Sequence, residues 1–235
     1  MLKNILKLSD KSKLSLSKDV DENIKKAILK EESDSPYLFK QKPYEEIYEN
    51  KEKFKFLEHA IKFRKEIKFR YTNLDKINYF TLKPYKIVFL SENFYLASEI
   101  ELKRNGVNVT MSRIAMIDEL STTGNSFYHN PDIMNFIHYV QSPWGTYKPN
   151  FKEHLKEVII EVPKEQAKYF KLKKFFPSQK ILREDENGTI QISYTVTSEN
   201  EVVGLIKQWI PYVKVISPQS LINLFEKVAK DFYGA

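Results

Sequence analysis

The chain has 235 residues, 42% of them hydrophobic and 14% aromatic, enough to fill the core of one large domain or two ordinary ones. A formal net charge of +7 favours an anionic partner, although lysine-rich chains often carry such a charge with none. The lack of any cysteine excludes disulfides, thiolate metal sites and cysteine nucleophiles. No run of roughly eighteen or more apolar residues occurs and the N-terminus has no apolar stretch of signal-peptide length, so a bacterial-type cytoplasmic protein is expected, without membrane span or secretion.

Residues 1–55 are polar and rich in Lys and Glu, with weak helical spacing at Ile24, Ile28 and Leu29. They are expected to form a helical and extended N-terminal arm or linker. Phe56, Leu57, Ala60 and Ile61 fall at helical spacing and predict an amphipathic helix that leads into "IKFRY". There the period changes to two. "YFTLKPYKIVFLS", "FYLASEI" and "VNVTMSRIAMI" follow as strands separated by polar turns, with Pro84 expected at an edge or bend. One helix followed by four or five short strands predicts a small β-barrel over 56–125. Residues 126–155 are expected to be a connector with one short helix, capped by Asn130 and entered through Pro131. From 156 to 235 the pattern reads strand, helix, strand, strand, helix, strand, then a C-terminal helix behind Ser217 and Pro218. That order is the ferredoxin-like βαββαβ unit with one extra helix, which makes the whole chain α+β.

The six glycines are too scattered for a dinucleotide or phosphate loop, the four histidines have no metal-binding spacing, and no Gly-x-Ser-x-Gly elbow occurs. A non-enzymatic protein without cofactor or metal is therefore expected.

Residues 56–120 resemble the WYL domain, a small Sm-like β-barrel found mainly in bacterial transcription regulators. Its Trp-Tyr-Leu triplet stands here as Phe94-Tyr95-Leu96, after "KFRY" and "LKPYKI" and before "MSRIAMIDEL". Residues 157–233, with "WIPYVKVISPQSLINLF", resemble the ferredoxin-like extension that follows that barrel. Together the two stretches cover about 60% of the chain in the family's order. The resemblance implies a dimeric, ligand-sensing part of a transcription regulator, with a nucleotide or single-stranded nucleic acid as effector. The family's DNA-binding winged helix does not fit in the first 55 residues, so DNA recognition is expected in a missing or separate domain.

Arg113 shares parity with Val107, Val109 and Met111, which sets a guanidinium on an apolar side. Either a bulge near Ser112 resets the parity, or Arg113 sits at a rim with an anionic partner, or it is satisfied internally, by an ion pair with Asp118 or Glu119 or by a planar stack on an aromatic ring. The resemblance implies ligand contact, because the matching arginine belongs to the family's pocket. The expected ligand-binding set is Tyr71, Lys83, Tyr95, Arg104, Ser112 and Arg113. Arginine would supply a bidentate fork, lysine a point charge and tyrosine a stacking face. Arg70, Lys171, Lys173 and Lys174 form an expected secondary basic surface, the three lysines interleaved with aromatics whose helical spacing favours a helix facing its own sheet over a nucleic-acid contact. The alternatives are a nucleic-acid binder without sequence readout and a purely structural dimerisation module.

Overall fold

The computed structural model describes residues 51–73, 76–102 and 106–234. Arg104 lies outside the described residues, as does the expected N-terminal arm up to residue 50. The fold is α+β, with two antiparallel sheets and five helices among the described residues, none of them long and apolar enough to cross a membrane.

Helix α1 (Lys51–Lys62) buries Leu57 and Ala60 and is followed at once by β1 (Lys65–Asn73). Strands β2 (Lys76–Leu90), β3 (Asn93–Leu102), β4 (Gly106–Arg113) and β5 (Ile117–Ser126) complete a sheet of order β4-β3-β2-β1-β5. The two outermost strands are consecutive in the chain, joined by a 3-10 turn at Ile114–Met116, so the sheet must curl. Curling is easy at Pro84, which has no N–H to give to a ladder. The first half of β2 pairs with β1 and the second half with β3, and the register skips Tyr85 as an extra residue.

The curl encloses Ile67, Phe69, Leu82, Phe94, Leu96 and Ile117, with Leu57 and Ala60 of α1 closing one side. The outside of β2, β3 and β4 is buried as well. Tyr85, Ala97 and Val109 pack there against the connector through Phe127, Ile133, Phe136 and Phe151. Helix α2 (Pro131–Tyr139) provides much of that cover and begins as the sequence suggests: the Asn130 side chain accepts the Asp132 N–H, and Pro131 occupies the first turn.

The second sheet follows as β6 (Lys156–Val162), α3 (Lys164–Leu172), β7 (Lys180–Glu184), β8 (Ile190–Val196), α4 (Asn200–Gln208) and β9 (Lys214–Ser217), then α5 (Gln219–Tyr233). Its order is β7-β8-β6-β9, antiparallel throughout. The alternating residues Ile190, Ile192, Tyr194 and Val196 meet Phe170 of α3 and Val202 and Ile206 of α4 in one core, joined by Leu221 of α5. Pro218 stands just before the first residue of α5 instead of inside its first turn, and its carbonyl accepts the Leu221 N–H.

Two strand boundaries differ from the sequence reading. "VNVTMSRIAMI" is split by the 3-10 turn, and "IDELSTTGNS", to which no strand was assigned beyond Ile117, is strand β5 paired with β1. That strand is an outer one whose side chains are largely polar and exposed, so it carries no apolar alternation to betray it.

Candidate functional site

Strands β3 and β4 pair without a register break from Leu102–Gly106 to Tyr95–Arg113, so no bulge resets the parity. The alternation of Val107, Val109 and Met111 is real, but the apolar side it marks is the outer face packed on the connector. Arg113 is the last residue on that side, half-buried where the strand ends. Its guanidinium donates to the Asn93 side-chain oxygen and its backbone N–H to the Tyr71 hydroxyl at 3.3 Å. Directly across the ladder stands Tyr95, on the same face, with side chains about 5 Å apart at Cβ. Asn93 also donates to the Ser91 carbonyl, at the β2–β3 turn. Ser91 and Glu92 both take positive φ, 46° and 61°, as the favoured two-residue hairpin turn requires.

Of the other expected residues, Tyr71 reaches Arg113 through its hydroxyl, while Ser112 and Lys83 are directed elsewhere. Ser112 is buried and, by parity, projects to the inner face with Leu96. Tyr71 packs into the inner core, where its hydroxyl donates to the Met116 sulfur. Lys83 lies opposite Glu99, four residues along β3 from Tyr95 and so roughly 13 Å away. Its ammonium bridges Glu99 and Glu101, both at 2.8 Å. Asp118 and Glu119 are held by Arg70, at 3.7 and 3.1 Å. In the C-terminal unit Lys171 pairs with Glu184 at 2.7 Å, Lys173 sits over the Phe175 ring at 5.3 Å, and Lys174 is exposed. Phe170 and Phe176 face their own core, and Tyr169 leans on Trp209.

Behind Lys83 lies a buried polar group. Glu99 is 6% exposed and accepts the fully buried Tyr85 hydroxyl at 2.6 Å, and that hydroxyl in turn accepts the Asn130 N–H at 2.9 Å. The network ties the first sheet to the start of α2. Burial, assisted by the Glu99 charge and opposed by the Asn130 N–H, pushes the Tyr85 hydroxyl up to about 12. An unfolded tyrosine ionises at about 10, so the folded state holds the proton more tightly. Its contribution is complete below that pH and is lost as the pH rises through about 12. Denaturant unfolding followed across this range is expected to show falling stability, with a smaller fall in Tyr85→Phe.

Tyr95 also lines a cleft of about 380 Å³ between the β2–β3 turn and the C-terminal unit, with Ser91 on the same wall. Ligand pockets commonly run from about 300 to 1,000 Å³, so the cleft is at the small end of that range. The far wall is Phe175, Phe176 and the α4 residues Gly204, Leu205 and Gln208, and the connector residues Gln141, Ser142 and Trp144 form the rim. Glu201 forms part of the floor. It is 5% exposed and accepts from the Thr197 N–H and hydroxyl, the Ser198 N–H and the Gln141 N–H. Sequence reading did not find Gln141, Trp144 or Gln208 as site residues, and met Phe175 only among the aromatics interleaved with lysines. The one available signal was a tryptophan inside the polar loop "SPWGTYKPN". Among the described residues no group of His, Asp and Glu is placed to hold a metal ion.

Comparison with known proteins finds a match for one part of the chain. Residues 155–233, about a third of its length, match the family model of the WCX domain, which is related to WYL. No curated protein matches. Among solved structures, proteasome accessory factor B/C of Arthrobacter aurescens is similar over 77% of this chain and 26% of its own, at 15% identity and a TM-score of 0.32. A CRISPR Cas-related protein is similar over 77% of this chain and 50% of its own, at 12% identity and a TM-score of 0.51. The chain thus spans half the length of one and about a quarter of the other, and what it shares with the Cas-related protein is fold.

Proposed function

We propose that this chain is the ligand-sensing and dimerising region of a WYL-type transcription regulator, with the curled sheet as an Sm-like barrel and the second sheet as its ferredoxin-like extension. The effector is an anionic nucleotide or a short single-stranded nucleic acid, received where Tyr95 lines the cleft and Arg113 stands across the ladder from it. The WCX match over 155–233 supports the regulator reading, and the strand order of both sheets suits the two folds. The observation that carries the site is the position of Arg113. A half-buried guanidinium held by the Asn93 side chain, across the ladder from a tyrosine that lines the cleft, suits a phosphate group. A ligand touching both walls would bias their relative placement and, through it, an attached DNA-binding domain.

Anisotropy of labelled single-stranded oligonucleotides at two salt concentrations tests this reading. Saturable binding with a shallow salt dependence is expected, and Arg113→Ala should weaken it roughly 10- to 100-fold, the worth of a charge-assisted contact. Lys174→Ala should leave it within about twofold. A steep salt slope with equal losses in both variants would instead favour a basic face that tracks the backbone.

A further inference from the structure

The cleft and the arginine beside it have different chemistry. Among the described residues of the cleft lining none is lysine or arginine, and its single carboxylate, Glu201, is occupied by four donors. The lining therefore offers a phosphate no cation. It includes instead the aromatic side chains of Tyr95, Phe175 and Trp144 and two primary amides, Gln141 and Gln208. Such a lining suits a flat, uncharged ring with hydrogen-bonding edges.

Trp144 is the most exposed of these rings, with 67% of its surface open, yet the backbone that carries it is pinned. Its N–H donates to the hydroxyl of buried Ser142, and the Thr146 N–H donates to the Thr197 hydroxyl at 3.2 Å. Between them Gly145 passes so close to Val140 and Thr197 that a Cβ would overlap the Val140 side chain. An indole held out to solvent on a fixed loop loses little conformational freedom when a partner covers it.

We infer that Trp144 is a stacking platform and that the cleft takes the base of a nucleotide, while Arg113 takes its phosphate. This rests on the proposed anion contact at Arg113 and adds the ring specificity of the same site. The chain has two tryptophans, and Trp209 packs among Tyr169, Phe170 and Phe175, so Trp209→Phe leaves Trp144 as the sole indole reporter.

The test titrates the Trp209→Phe chain with an uncharged nucleoside, with the matching nucleoside monophosphate and with inorganic pyrophosphate, reading tryptophan emission. The nucleoside and the nucleotide should quench saturably. Pyrophosphate should not quench, but should compete with the nucleotide. In the otherwise unaltered chain, Trp144→Ala should weaken nucleotide binding roughly 5- to 100-fold, the range of one base–aromatic stack, and Trp144→Phe should keep most of it. Nucleotide binding that needs Arg113 but is unchanged in Trp144→Ala, without quenching, would overturn the base assignment and leave the anion contact standing. Nucleoside quenching with no effect of Arg113→Ala would uphold the base assignment and overturn the anion contact. No response to any of the three would overturn both.

Discussion

Glu201→Ala is expected to destabilise the fold by about 3–5 kcal/mol. The carboxylate is buried, and its removal strands the N–H groups of Thr197 and Ser198, both themselves buried, at about 1–2 kcal/mol each. Loss of the helix cap adds about 1 kcal/mol, since Glu201 reaches back from the first turn of α4 to the residues before it. The Gln141 N–H belongs to an exposed residue and regains water, so it adds little. Glu201→Gln keeps an oxygen for the Thr197 and Ser198 donors and should cost about 1–2 kcal/mol. Urea unfolding reads both: the midpoint should drop with an unchanged slope, by about 1 M or more for the alanine variant. The same substitution removes a tie between the connector and α4, two parts of the cleft lining, so ligand affinity should fall even where the fold survives.

Glu99→Ala is expected to cost about 3 kcal/mol. It leaves the fully buried Tyr85 hydroxyl without an acceptor and Lys83 with Glu101 alone. The double variant Glu99→Leu with Lys83→Met should recover part of that loss, because an apolar pair of similar volume carries no desolvation penalty. Thermal or urea unfolding of the single and double variants measures the recovery. A double variant no more stable than Glu99→Ala would show that the Tyr85 hydroxyl alone sets the cost.

The regular parts of this fold were legible where one face of an element is apolar and the other polar. Ile190, Ile192, Tyr194 and Val196 announce β8, and Leu221, Phe225 and Val228 announce the face of α5. Strand β5 was not legible, because its stability comes from pairing with β1 and only a few of its side chains are covered. The parity of Arg113 was read correctly, but which side of the sheet was apolar could not be, since the connector buries the outer face of β2–β4 as thoroughly as α1 and the curl bury the inner one. The cleft was illegible for a related reason. Tyr95, Trp144, Phe175 and Gln208 come from a strand, a loop, a bend and a helix end that only the packing of the connector brings together.

Hydrogen–deuterium exchange of the full chain, with and without a saturating short single-stranded oligonucleotide, tests the location of the ligand site most directly. Slowed exchange around the β2–β3 turn, at the end of β4 and across 141–146 is expected. Protection confined to the lysine-rich stretch 168–176, or no change anywhere, would contradict a ligand held at Arg113 and Tyr95.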